Sequence, residues 1–414
     1  MDAMLPIAVI ASLGPARRKA NAPMEIVAQL WLFVPKKAIN MPKFCLWLGA
    51  FFFIFGSCKP VAEKHALPDL LDLSIIDSTL TGNELFFMNV TDQVKLIGDS
   101  LLAISSIRTP AVGIVKMDGK QVGNIASGDF PIGSFMPGSY DISDYPIVYI
   151  IDRRSQSVLI FNVASQKFIE KVRLHLPNDK IIRTIGTKFK KIESGYVVEL
   201  LSQKHDAYLP AFYRESGDLL YFFDTAGVIQ KKIVEYPEEY KVILGSLQPA
   251  NYLTMGDDQE SLLISFPHQK KIFRYSLKGE VLEEIELPRS RFFDYQLKAA
   301  DRIIDATQIM AGGNVNLKTP ANNIFNSIRE DERHIYVETW MKIGEGGIKE
   351  TRFAHLMVYN KDEKKWYETS NPRNILDIGM LAGVVNDTLY FYEGSLMKSD
   401  EKYIKRAILK PIKE

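Results

Sequence analysis

Few residues in this chain stand in an arrangement that could do chemistry. The histidines His65, His175, His205, His268, His334 and His355 show no short metal-ligand spacing, so neither a metal site nor a cofactor is expected. His205-Asp206 sets a carboxylate beside an imidazole, which is how a general base is oriented. No Gly-x-Ser-x-Gly elbow accompanies it, and an exposed polar loop pair is the simpler reading. Gly344-Glu345-Gly346-Gly347 has the freedom of a phosphate cradle but opens no helix, so the dipole and aligned amides are missing and a hairpin tip is expected. Asp257-Asp258-Gln259-Glu260 is an incomplete calcium loop and reads as a solvated turn. No catalytic residue is assigned.

The two cysteines, Cys45 and Cys58, both precede the β-prone part of the chain, which therefore has neither a disulfide nor thiol catalysis and must stand on its hydrophobic core. Cys58 closes a distinctive stretch. Lys43 is followed by a mostly apolar run, Phe44 to Phe55, and then by Gly56-Ser57-Cys58. The run is shorter than the roughly 20 residues that span a bilayer, and Phe51-Phe52-Phe53-Ile54-Phe55 has no polar face. A cationic flank, a short apolar core and a small-small-Cys ending resemble a bacterial lipoprotein signal, although Phe55 stands where Leu is commonest. The resemblance implies that the Cys58 thiol is acylated and becomes the first residue of an exported, membrane-anchored chain in the cell envelope. Residues 1–40, interrupted by Arg17, Arg18, Lys19, Lys36 and Lys37, fit no signal and are read as an extension upstream of a start at Met41. The organisation expected is thus 41–57 signal peptide, 58–70 tether and 71–414 folded domain.

Within 71–414 one pattern recurs: an apolar segment, a tight turn with Asp, Glu, Gly or Asn, and a strongly β-prone run. It appears around Gly98-Asp99, Ser143-Asp144, Glu193-Ser194-Gly195, Gly256-Asp257-Asp258, Glu330-Asp331-Glu332 and Asn386-Asp387. A second hairpin follows each copy, turning at Asp118-Gly119, Ala164-Ser165, Thr225-Ala226-Gly227, Lys278-Gly279, near Asp362 and near Asp400. Units begin 46 to 72 residues apart. Repeated double hairpins at this spacing predict an all-β fold, a β-propeller of six four-stranded blades. Leu71 to Val90 holds two further apolar stretches that either complete the last blade or begin a seventh unit. Leu297 to Met310 has a period nearer that of a helix and is read as an insertion.

Gly128-Asp129-Phe130-Pro131-Ile132-Gly133-Ser134-Phe135, followed by Asp141-Ile142 and Val148-Tyr149-Ile150-Ile151-Asp152, resembles the Gly-x-Gly-Pro-Gly-Glu-Phe segment and following strand of six-bladed, NHL-like propeller lipoproteins of Gram-negative bacteria. Ile132 and Ser134 depart from that pattern and point to a divergent, functionally uncharacterised branch. The resemblance implies an exported propeller with no catalytic residues to carry over.

With 51 basic and 50 acidic residues the chain has no excess of the kind nucleic-acid binding requires. Loops between the second and third strands of the units nevertheless carry Arg108, Arg153, Arg154, Lys204, His205, His268, Lys270, Lys271, Lys349 and Arg352, while the first-hairpin turns are acidic. Alternate loops of an antiparallel blade lie on opposite faces. A basic face around the central opening is expected, suited to an anionic glycan, peptide or protein; Asp in turns and Lys or Arg in loops also arise for ordinary turn and solubility reasons. The function expected is a monomeric, membrane-anchored binding or scaffold protein, with a carbohydrate-active lyase or hydrolase acting in the central funnel as the alternative.

Overall fold

The computed structural model describes residues 67–81, 91–106, 111–126, 135–183, 186–256, 260–304, 319–343, 351–393 and 401–412. All lie in the compact unit Lys64–Glu414. The signal segment, Cys58, Arg108, Lys349, the Gly344 loop and Gly128 to Ser134 lie outside the described residues.

The chain opens with β1 (Asp69–Leu80) and then lays down four-stranded antiparallel sheets in order. The first holds β2 (Thr91–Ile97), β3 (Leu101–Ser106), β4 (Ala111–Lys116) and β5 (Gln121–Ala126), the second β6 (Pro137–Asp141), β7 (Ile147–Asp152), β8 (Ser157–Asn162) and β9 (Lys167–Arg173). In the third, β10 (Lys180–Ile182) and β11 (Phe189–Ile192) both pair with β12 (Gly195–Ser202), followed by β13 (Leu220–Asp224) and β14 (Ile229–Ile233). Helices α1 (Pro210–Glu215) and α2 (Glu238–Lys241) flank this sheet. The fourth holds β15 (Thr254–Met255), β16 (Ser261–Phe266), β17 (Lys271–Ser276) and β18 (Val281–Glu286).

The remaining strands form one larger sheet. β19 (Ile324–Glu330), β20 (His334–Ile343), β21 (Thr351–Asn360) and β22 (Lys365–Thr369) make one antiparallel run, with β23 (Arg373–Asn374) also on β21. After α3 (Ile375–Ile378), β24 (Met380–Val385), β25 (Thr388–Tyr392) and β26 (Tyr403–Pro411) make a second run that ends on β1. The runs meet where β1 pairs in parallel with β22, Asp69 opposite Tyr367 through Leu71 opposite Thr369. Repeated four-stranded sheets arranged in this way form a β-propeller.

Middle strands read as continuous apolar runs because neighbouring sheets cover both faces. Val158, Leu159 and Phe161 of β8 are buried, with Val158 in the core toward the third sheet and Leu159 and Phe161 in the core toward the first. Outer strands differ: β18 exposes Glu283, Glu284 and Glu286, charges that blunt a sheet edge. The ring closes where Val94, Leu102 and Val115 pack with Met380, Tyr390 and Tyr392.

Three glycines report the same joint between consecutive units. A Cβ on Gly119 would lie 2.3 Å from the Leu80 carbonyl oxygen, one on Gly227 2.0 Å from that of Arg173, and one on Gly279 3.2 Å from Ile233 Cγ2. Each glycine has positive φ in the turn before an outermost strand, and each meets the end of the preceding unit's outermost strand. Leu80 at the end of β1 thus occupies the place that Arg173 and Ile233 hold after β9 and β14.

β1 is therefore the fourth strand of the last unit, which settles the role of Leu73-Ser74-Ile75-Ile76 in favour of closure. It corrects the expectation of a second hairpin turning near Asp400: β26 pairs with β25 on one side and with β1 on the other, Leu71 opposite Pro411 through Leu80 opposite Tyr403. Residues 297–304 of the expected helical insertion run irregularly between β18 and β19. Carbonyl and amide pairing of Ser246 with Ala300 and Arg302 holds them, so tertiary contacts override the local period.

Candidate functional site at the axial cavity

Each unit presents its first strand to the axis, and β24 contacts both β2 and β19 there. Alternation along these strands sends one side chain into the core and its neighbours toward the axis. Val94 and Phe325 are core residues, while Gln93, Lys95 and Asn326 line a cavity of about 380 Å³. The cavity lies where the first strands begin and where the loops between second and third strands also end. Its charged lining is Asp92, Lys95, Lys188, Arg329, Arg352 and Glu393, joined by Trp340 and the carboxamides of Gln93, Asn251 and Asn326. A second cavity, about 550 Å³, lies toward the far ends of the first strands and shares Lys95 and Arg329 with the first.

Burial raises the Asp92 carboxyl to about 6, against the opposing pull of Lys188, the Gly186 N–H and Arg153. Arg329 donates from Nη2 to the Val94 carbonyl at 2.9 Å and from Nε to that of Leu381 at 3.3 Å. Arg352 stacks over the Trp340 ring with its guanidinium carbon 5.9 Å from the centroid. The Trp340 indole donates to Glu338 Oε1 at 3.3 Å. Glu338 is wholly buried, and its Oε2 accepts from Asn326 Nδ2 at 2.8 Å, Ser327 Oγ at 2.9 Å and Leu381 N at 3.2 Å. Burial pushes its carboxyl upward, and these donors offset part of that cost.

Two buried ion pairs frame the cavity. Glu199 takes Arg183 Nε at 3.2 Å and the Lys188 backbone N–H at 3.1 Å, which fixes the segment before β11. Glu393, at φ 125°, pairs with Lys402 at 2.6 Å, and burial raises its carboxyl. Such a φ in a non-glycine residue is strained and is held here by the surrounding bonds.

The residues expected on the basic face are distributed as follows. Arg153 lies beside Asp92 and Arg352 lines the cavity. Arg154 follows in the β7–β8 turn, where its backbone N–H donates to Asp152 at 3.1 Å. Lys204 pairs with Asp179 at 3.4 Å and His205 with Glu215 at 2.8 Å, away from the cavity lining. Lys271 pairs with Glu284, and Lys270 stands 5.6 Å from the Tyr295 ring centroid. His268 is 5 % exposed and packed among Tyr240 and Tyr252, a core residue rather than a surface one. Its Nδ1 lies 2.7 Å from the Tyr295 carbonyl, and burial lowers its pKa to about 4. Of the expected set, Arg352 lines the cavity, and Arg153 lies near enough to Asp92 of its lining to act on that carboxyl.

Asp92, Lys95, Lys188, Arg329 and Trp340 were not singled out in the sequence, where each is an ordinary polar or aromatic residue in or before a strand. Two further clusters lie elsewhere. Ser290 Oγ donates to Glu368 Oε2 at 2.7 Å and lies 3.4 Å from His355 Nε2. A nucleophilic serine would give its proton to the imidazole; this one gives it to the carboxylate and also caps the N–H groups of Phe292 and Phe293, so it anchors a loop. Asp331, His334 and Asp387 hold ligand-type atoms within 4.8 Å of one another. Asp331 there accepts from Tyr336 and from the backbone of Arg333 and His334. Among the described residues no helix is long and apolar enough to cross a membrane.

No family model matches the sequence, and no curated protein does. Among solved structures, a member of the DUF4221 family from Bacteroides vulgatus superposes with a TM-score of 0.62 at 11% identity, over 83% of this chain and 100% of that one. A Bacteroides fragilis protein thought to be exported gives 0.48 at 13% over 82% and 96%. A streptogramin B lyase gives 0.40 at 9% over 81% and 98%. At 11% identity the likeness to the DUF4221 member is one of fold. The strand order makes the chain a β-propeller.

Proposed function

We propose that the protein is a six-bladed propeller, counting β19–β22 as one blade and β24–β26 with β1 as another, that is exported, anchored through acylated Cys58, and binds an anionic ligand at the axial cavity. The observation that carries this reading is the convergence of Lys95, Lys188, Arg329 and Arg352 from separate strands and loops on one concave site. Like charges around a recess focus an anionic partner. Of the two acidic residues in that lining, Glu393 is paired with Lys402 and Asp92 is raised toward its neutral form. The carboxamides and the fixed Trp340 suit a glycan or peptide carrying acidic groups.

Tryptophan fluorescence titration with glucuronate, a phosphoserine peptide and neutral glucose tests this reading. Anions should bind and glucose should not, and Arg352→Ala should weaken anion binding about tenfold. Equal binding of glucose, or an Arg352→Ala protein with unchanged affinity, would overturn it. Anchoring is tested separately by labelled palmitate, whose incorporation should vanish in Cys58→Ala.

A second reading, a carbohydrate-active enzyme with its site in the same funnel, is favoured by Asp92, whose carboxyl near 6 suits a general acid working close to neutrality. Turnover of an acidic polysaccharide that disappears in Asp92→Asn would support it, and turnover unchanged in that variant would exclude this residue as the acid.

A further inference from the structure

We propose that the far axial cavity is a second binding site, in which Lys95, Lys190 and Arg329 cradle the tetrahedral oxyanion of a small phosphate or sulfate monoester. This goes beyond anion binding at the near cavity and rests on that reading only for the count of six units around the axis.

The three cations come from alternate units. Lys95 is on β2 of the first, Lys190 on β11 of the third and Arg329 on β19 of the fifth. They also hold the same place within each unit. Lys95 lies opposite Ala103, Lys190 opposite Val197 and Arg329 opposite Tyr336, and each of those second-strand residues packs against the following unit. In the units between, that place falls to Asp141, opposite Tyr149, to Gly256, whose N–H donates to the Leu263 carbonyl at 2.7 Å, and to Gly383, opposite Tyr390. Three positive side chains therefore stand about a third of a turn apart around the axis, and glycine occupies two of the places between them.

The two acids of the same lining are engaged elsewhere. Glu330 receives Arg274 at 2.9 and 2.7 Å and Lys361 at 3.0 Å. Asp141 Oδ1 accepts from the Ser143 N–H at 2.9 Å and from its hydroxyl at 2.6 Å. Lys190 is 4 % exposed, and the carbonyls of Val94 and Leu381 hold the Arg329 guanidinium in place. Both charges thus act at fixed positions in a recess where water screens them little.

That arrangement selects the ligand class. A terminal phosphate or sulfate carries three oxygens about its own threefold axis, and one cation can meet each. A planar carboxylate has two oxygens and serves two of the three. At about 550 Å³ the cavity is larger than the bare ion and has room for the organic part of an ester.

Calorimetric titration of the folded protein with glucose 6-phosphate, glucose 6-sulfate and glucuronate tests the inference. Of the two cavities, Lys190 lines the far one alone and Arg352 the near one alone. The esters should occupy a site that persists in Arg352→Ala and is weakened about tenfold in Lys190→Gln, and the ester bound more tightly identifies the natural group. Glucuronate should respond to Arg352→Ala and not to Lys190→Gln. Asp141→Asn, which keeps an acceptor for Ser143, should tighten ester binding several-fold, and this variant decides if Lys190→Gln fails to fold. Ester binding that ignores Lys190→Gln and Asp141→Asn yet falls in Arg352→Ala would overturn the far site and leave the near-cavity reading standing. Ester binding lost in Lys190→Gln, with no glucuronate binding by the native protein, would do the reverse. Glucuronate weakened by Lys190→Gln as much as the esters would overturn the tetrahedral class, and no ester binding by the native protein would sink the inference.

Discussion

Arg329 on β19 donates to the carbonyl of Val94 on β2, 2.9 Å away, across the first strand of the intervening unit. Its Nε reaches Leu381 on that intervening strand, β24, so one guanidinium ties three first strands together where the ring closes. Arg329→Ala should lower stability by about 1 to 3 kcal/mol, the range for losing hydrogen bonds to a charged group. Arg329→Lys should keep the charge but lose the fork, and so recover less of the stability than of any anion affinity. Urea unfolding of both variants checks this, and an alanine variant as stable as the native protein would contradict it.

His268 should make stability fall in acid. Its folded pKa of about 4 lies below the ordinary 6.5, so the fold requires the neutral ring. Stability from this source is complete above about pH 6.5 and is lost as pH falls toward 4, by up to about 3 kcal/mol. Asp92 acts in the opposite sense over nearly the same window, because its raised pKa makes the fold gain stability as pH falls from about 6 toward 3.8. The native urea midpoint should therefore vary little there. Asp92→Asn should expose a steep acid loss and His268→Phe an acid gain; parallel pH profiles for all three proteins would refute the assignment.

The first strand should be indispensable. Leu71 and Leu73 of β1 are buried in the core with Leu389 and Phe391, and Asp77 and Asp69 pair with Arg406 and Lys365. A chain starting at Thr81 should lose cooperative thermal unfolding, and a synthetic peptide of residues 67–81 should restore it. A truncated protein that melts at the native temperature would show that closure does not depend on β1.

What was legible in the sequence was local. Gly98-Asp99-Ser100, Asp118-Gly119, Glu193-Ser194, Thr225-Ala226-Gly227 and Asn386-Asp387 all fall between paired strands, because turn chemistry and flanking β-branched residues act over a few positions. The sequence leaves the role of β1 open, since nothing near Leu73 announces a partner at Leu409. The axial site was illegible for a related reason. Asp92, Lys188 and Arg329 become neighbours of one cavity only through the circular stacking of units. His268 sits in a polar stretch, Pro267-His268-Gln269, and is buried by Tyr240 and Tyr252, which arrive from a segment inserted between the third and fourth sheets.

Pairing of Leu71 with Pro411 also sets the order in which the molecule can be finished. A ribosome delivers β1 first and its antiparallel partner β26 last. Four complete sheets can condense in the interval, while the earliest strand waits with its hydrogen-bonding edge unfilled. The entropic toll of so wide a loop grows only logarithmically with its length, so the wait limits the rate of folding far more than the final stability.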